Sequence, residues 1–233
     1  MIMSGKGRAS SRAQRVTEIP GDATRQRIMD VAEQLFAERG FSSVSLREIL
    51  MQAGANPASA HYHFGSKEEL VRQVFSRRAP PVLAHINELL DAAAFSEGKS
   101  DYLERVVLAI IAPSIRGRSM QDRGARILNR LRARLLTETL EYASAIHNEV
   151  YHGIAERVLV ALRIALPSVS PIELAWKLHV VFGALGAATT WVTHIHPALS
   201  STYCPDDPDE ALAYLVPLFV SVLRAPMPPE THK

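Results

Sequence analysis

Residues 41–70 read FSSVSLREILMQAGANPASAHYHFGSKEEL, a punctuated run that narrows the possible folds sharply. Ser45 and Glu48 form a Ser-x-x-Glu capping box, and Leu46, Ile49 and Leu50 give the helix behind it an apolar face. Gly54 stops that helix after about two turns. Asn56 can cap a second short helix, with Pro57 at its first position, where a missing N–H costs nothing. Ser66 and Glu69 make another capping box, which opens a longer helix through SKEELVRQVFSRR. Upstream, Ile28, Val31, Ala32, Leu35 and Phe36 repeat at helical spacing, and Gly40 ends the stripe. Two short helices around a glycine turn, framed by longer ones, predict a helix-turn-helix unit. In that arrangement the second short helix enters the DNA major groove.

Charge agrees in sign. Residues 1–78 carry 12 Lys and Arg against 8 Asp and Glu, and the remainder carries 14 against 16. The basic side of this asymmetry suits an anionic partner, although an ordinary solvated surface has the same balance. Lys6, Arg8, Arg12 and Arg15 make residues 1–22 a basic arm, expected to be disordered in isolation, that can reach along a polyanion. His61 and His63 look like a metal pair, but residues two apart on a helix diverge, and no Cys, Asp or Glu lies in that turn. No metal site is expected there.

Beyond residue 78 the pattern stays helical. One segment spans Tyr102, Val106, Ala109 and Ile110, with Pro113 and Gly117 expected to close it. Others are expected over 123–137, from about 138 to 166, over 171–195 and over 208–223. No strand alternation of useful length and no internal repeat occurs, so the fold class is all-α. The division read from this is an arm (1–22), a helix-turn-helix domain (23–70), a helical ligand-binding and dimerisation domain (71–225) and a disordered tail (226–233). The most apolar run, 180–192, is short of the ~20 residues that span a bilayer and is expected to be a buried helix. With no membrane span, no export signal and Cys204 as the lone cysteine, a cytoplasmic protein is expected.

Residues 24–78 resemble the DNA-binding domain of the TetR family of bacterial transcriptional regulators. The resemblance lies in VAEQLFAERGF (31–41), SLREIL (45–50), QAGAN (52–56) and YHFGSKEEL (62–70). His61 departs from it, since tyrosine is common there. The resemblance implies that Ala55, Ala60 and Phe64 face inward. It places Ser59, Tyr62 and His63 on phosphates or sugars, and Pro57, Ala58 and His61 nearest the bases. Ser45 and Arg47 would clamp the other DNA strand's backbone, with Thr24 and Arg25 alongside. Lys67 would meet a phosphate at a helix N-terminus. Ser45 and Ser66 are expected as caps with or without DNA.

The resemblance also implies a homodimer on an inverted-repeat operator, released by a small apolar or aromatic effector. Its interface is expected on the last two helices, through Trp176, Gly183, Gly186, Ala187, Leu215, Leu218, Phe219 and Val222. The expected cavity residues are Ile111, Ile127, Leu131, His147, Tyr151, Phe182 and Trp191. The arginines within 123–134 could pair an acidic effector, but a solvated helix face is the favoured reading. No cofactor is implied. Nor is an enzyme, since no P-loop, dinucleotide fingerprint, nucleophile elbow or HExxH motif occurs. A DNA-binding regulator or architectural protein without an effector stays open.

Overall fold

The fold comes from a computed structural model that describes residues 20–56, 63–118, 122–190 and 207–226. Among them the secondary structure is helical: α1 (Pro20–Arg39), α2 (Leu46–Gln52), α3 (Lys67–Ala94), α4 (Tyr102–Arg116), α5 (Arg123–Thr137), α6 (Ala143–Ala165), α7 (Pro171–Thr190) and α8 (Pro208–Arg224). The basic arm, the segment 57–62, the end of the expected 171–195 helix and the C-terminal tail lie outside the described residues.

The caps form as the spacing predicts. Ser45 accepts from the Glu48 N–H at 3.1 Å, Ser66 from the Glu69 N–H at 3.1 Å and Ser170 from the Glu173 N–H at 3.2 Å. The three glutamates put their carboxylates on cations: Glu48 on Arg39, Glu69 on Arg72 and Glu173 on Lys177. Lys177 is buried and also donates to the Leu223 carbonyl at 2.7 Å, fastening α7 to the C-terminal end of α8. Glu33 is likewise buried on α1, where it pairs with Arg77 and Arg78 of α3.

The apolar side chains form two cores. The first holds Ile28, Phe36, Phe41, Ile49, Phe64 and Phe75, joined by Leu128, Leu131 and Leu135 of α5 and Ile146 of α6. The second holds Ile86 and Leu90 of α3 with the buried faces of α4, α7 and α8 and Val158 and Leu162 of α6. Helix α3, about 42 Å long for 28 residues, runs through both. It changes core at Pro80–Pro81, and Val82 and Leu83 pack against each. Those prolines are exposed, and they leave the Ser76 and Arg77 carbonyls without their usual helix donors.

Three expectations are corrected here. Pro113 lies inside α4, which continues to Arg116; Pro113 is buried among neighbours that hold the helix together around it. Helix α6 begins at Ala143 rather than near 138, because Glu138 is extended (φ −93°, ψ 137°) and is occupied elsewhere. Residues 180–190 are not buried on all sides: Val180 is more than half exposed, and Phe182 is only partly covered.

Candidate functional site

The head is set by two glycines in left-handed backbone. Gly40 (φ +87°) donates its N–H to the Phe36 carbonyl at 2.9 Å and turns the chain out of α1. Gly54 (φ +60°) does the same at the end of α2. Ser45 and Arg47 are exposed at the start of α2, and Arg47 has no hydrogen bond or ion pair to another described residue. A free guanidinium beside a helix N-terminus suits a phosphate.

The other basic candidates are partly engaged. Arg25 donates to the Gln73 side chain at 2.7 Å and lies 5.8 Å from the centre of the Phe64 ring, so it ties α1 to the turn before α3. Thr24 accepts from Arg27 at 3.2 Å. His63 is half-buried, with its ring 6.1 Å from that of Phe64. Lys67 is half-buried; desolvation pushes its ammonium below the usual lysine range, partly offset by the Glu138 carboxylate. Phe64 and Ala55 pack inward against the first core, as the resemblance implies. Pro57, Ala58, Ser59, Ala60, His61 and Tyr62 lie outside the described residues. Among those described, no group of three potential metal ligands comes together.

Helix α5 joins this head to the rest of the molecule. Just beyond its C-terminal end, the Glu138 carboxylate accepts from the N–H groups of Phe41 at 3.0 Å and Ser42 at 2.7 Å. Arg134 donates to the Glu38 carbonyl at 3.1 Å. The turn between α1 and α2 is therefore latched from a point nearly a hundred residues away. Sequence reasoning missed Glu138, which carries no local signal.

An adjoining face of α5 lines a cavity of about 330 Å³. Its aliphatic walls come from α3, α4, α6 and α7, including Ile86, Ile110, Val158, Leu178 and Leu185. Three expected lining residues are there: His147, Tyr151 and Phe182. Three are not. Ile127 and Leu131 pack in the first core and Ile111 is sealed in the second. Residues 128 and 131 lie on one stripe of α5, and 129, 132, 133 and 136 make the stripe beside it, which lines the cavity; Leu135, between them, touches both. Leu131 therefore belongs to the core stripe and not to the cavity. Trp191 lies outside the described residues. Arg132, expected on a solvated face, instead lines the cavity with Ser114 and Asn129.

The expected dimer residues also divide. Trp176 is 60% exposed and Leu218 55%, with Gly183 exposed and Ala187, Leu215 and Val222 partly so. Phe219 is 2% exposed and belongs to the subunit core, because it falls on the inner side of α8. Gly186 lines the cavity.

Residues 28–74 match the bacterial regulatory proteins of the tetR family, and residues 108–221 match the tetracyclin repressor-like C-terminal domain. The chain belongs to the TetR family. That family consists of DNA-binding transcriptional regulators and not enzymes. Among curated relatives, the HTH-type transcriptional regulator UidR of Escherichia coli (strain K12) is 29% identical over 87 residues, 37% of this chain and 42% of UidR. The chain thus spans about two fifths of the length of that relative. The fold resembles Bacillus subtilis FadR, solved in complex with stearoyl-CoA, with a TM-score of 0.58 at 19% identity, over 84% of this chain and 98% of FadR. It also resembles Pseudomonas aeruginosa NalD, the secondary repressor of the MexAB-OprM multidrug efflux pump, with a TM-score of 0.57 at 22% identity, over 87% and 97%. No helix among the described residues is long and apolar enough to cross a membrane.

Proposed function

We propose that the chain is a homodimeric repressor that binds an inverted-repeat operator and leaves it when a small molecule enters the cavity. The observation that carries this reading is the double duty of α5. One stripe of that helix lines the cavity, the next stripe fills the core of the head, and its end latches the turn before α2. A ligand that shifts α5 must shift the head, which is the differential contact an effector needs.

In this reading the segment 57–62 reads the operator through Pro57, Ala58 and His61, while Ser59, Tyr62 and His63 hold the backbone. Ser45, Arg47 and Lys67 position the head on phosphates, with Thr24 and Arg25 beside them. The dimer forms through the outward apolar face of α7 and α8. Ile172, Trp176, Val180, Tyr214 and Leu218 are all more than half exposed in the lone protomer, an apolar patch that calls for a cover. A two-fold pairing of these helices gives a four-helix bundle and sets two heads for two half-sites.

The test is fluorescence anisotropy with duplex DNA from upstream of the protein's own gene, in excess random DNA, for the native chain and Tyr62→Ala. Saturable binding that survives the competitor and disappears in the variant supports the reading. Binding no tighter than to random DNA, together with a monomeric mass in sedimentation, contradicts it.

A further inference from the structure

We propose that the effector is a small organic acid with an apolar or aromatic body, its carboxylate held between Arg132 and the Tyr151 hydroxyl. This rests on the reading of the cavity as the effector site. Most of the wall is aliphatic, and several of its polar groups form one linked cluster. Arg132 donates to the Ser114 hydroxyl at 3.0 Å, and its guanidinium carbon lies 5.3 Å from the centre of the Tyr151 ring. Asn129 donates to the Ser114 carbonyl at 2.7 Å, and the His147 ring stands 5.0 Å from that of Tyr151.

Two members of the cluster have capacity left. Tyr151 is 8% exposed, and its hydroxyl is buried with no hydrogen-bond partner. Arg132 has five N–H donors, and among the described residues no carboxylate lies within ion-pair distance of it. A half-buried guanidinium in an aliphatic wall and an orphaned buried hydroxyl are each costly to leave unpaired. A carboxylate answers both, because it accepts from a planar fork and from a hydroxyl together. A neutral hydrocarbon leaves both unmet, and a cation is repelled by Arg132.

A single negative charge is also the right amount. Burial, and then the charge of Arg132, lowers the pKa of His147, so the imidazole stays neutral near pH 7 and Arg132 is the cation of the cluster. The volume of about 330 Å³ lies at the small end of ligand pockets, which favours a compact acid.

The experiment is isothermal titration of the full chain with three matched pairs. These are 1-naphthaleneacetate, 4-phenylbutyrate and decanoate, each against its primary amide, for native protein, Arg132→Met and Tyr151→Phe. At least one acid should bind the native chain about tenfold or more tighter than its amide. Arg132→Met should bring that ratio close to one while amide binding persists, a change that a general packing defect would not produce. Tyr151→Phe should weaken the acid several-fold. Amides that bind the native chain as tightly as acids overturn the acid assignment and leave the cavity as an effector site. An acid preference that survives Arg132→Met does the same. Silence from all six compounds on the native chain overturns both readings.

Discussion

Removing the Glu138 carboxylate should loosen the head by an amount that follows from its two bonds. Both are charge-assisted, at 3.0 and 2.7 Å. The Phe41 N–H is partly buried, and losing a charged partner there costs about 1.5–3 kcal/mol. The Ser42 N–H is exposed, so water takes over and the loss is nearer ~0.5 kcal/mol. Glu138→Ala should therefore destabilise the chain by about 2–3.5 kcal/mol in urea unfolding, and Glu138→Gln, which keeps one acceptor oxygen, by about half as much. A second substitution sharpens the test. Gly40 has φ +87°, and a Cβ placed there overlaps the Glu138 carboxylate. Gly40→Ala alone meets both the left-handed strain, about 1–2 kcal/mol, and that clash. In the double variant Gly40→Ala/Glu138→Ala the clash is gone. The pair should then be less destabilised than the sum of its parts by about 1 kcal/mol or more. Strict additivity, or a Glu138→Ala chain within about 0.5 kcal/mol of native, would refute the latch.

Three further outcomes follow from the same geometry. Arg47→Ala should weaken DNA binding similarly across sequences and reduce the slope of log affinity against log salt by about one, measured by anisotropy at several salt concentrations. Trp176→Glu places a charge on the exposed face of α7; sedimentation should show a folded monomer, and operator affinity should fall by about 100-fold or more as the second half-site is lost. The pKa of His147 is lowered in the fold, so as pH drops below its ordinary value of 6.5 the unfolded chain takes the proton first. Stability should decline from that point down to the folded value, and His147→Gln should flatten that part of the curve of unfolding free energy against pH.

Local chemistry was readable from the residues, and long-range placement was not. The capping serines at 45, 66 and 170 act through the backbone three residues on, so spacing alone finds them. The end of α1 at Gly40 is readable for the same reason. Pro113 misled because a packed neighbourhood outweighs the breaking tendency of one proline, and that neighbourhood is made by other helices. Helix α5 shows the limit most clearly. Its periodicity marks apolar and basic stripes, but it does not say that Leu131 faces the head while Arg132 faces a cavity. Nor does any local pattern reveal that Glu138 reaches Phe41, since the two meet only once α5 has packed on α1. Phe219 and Leu218 are neighbours of equal hydrophobicity; which is core and which is surface depends on how α8 is rotated against α4.

The decisive measurement lets the protein choose its own operator. The full chain is used to select duplexes from a random-sequence pool over several rounds, in parallel with Tyr62→Ala. The account predicts enrichment of an inverted repeat by the native chain and none by the variant. A pool that stays random for both, or one that enriches a single unrepeated site bound by a monomer, would contradict it.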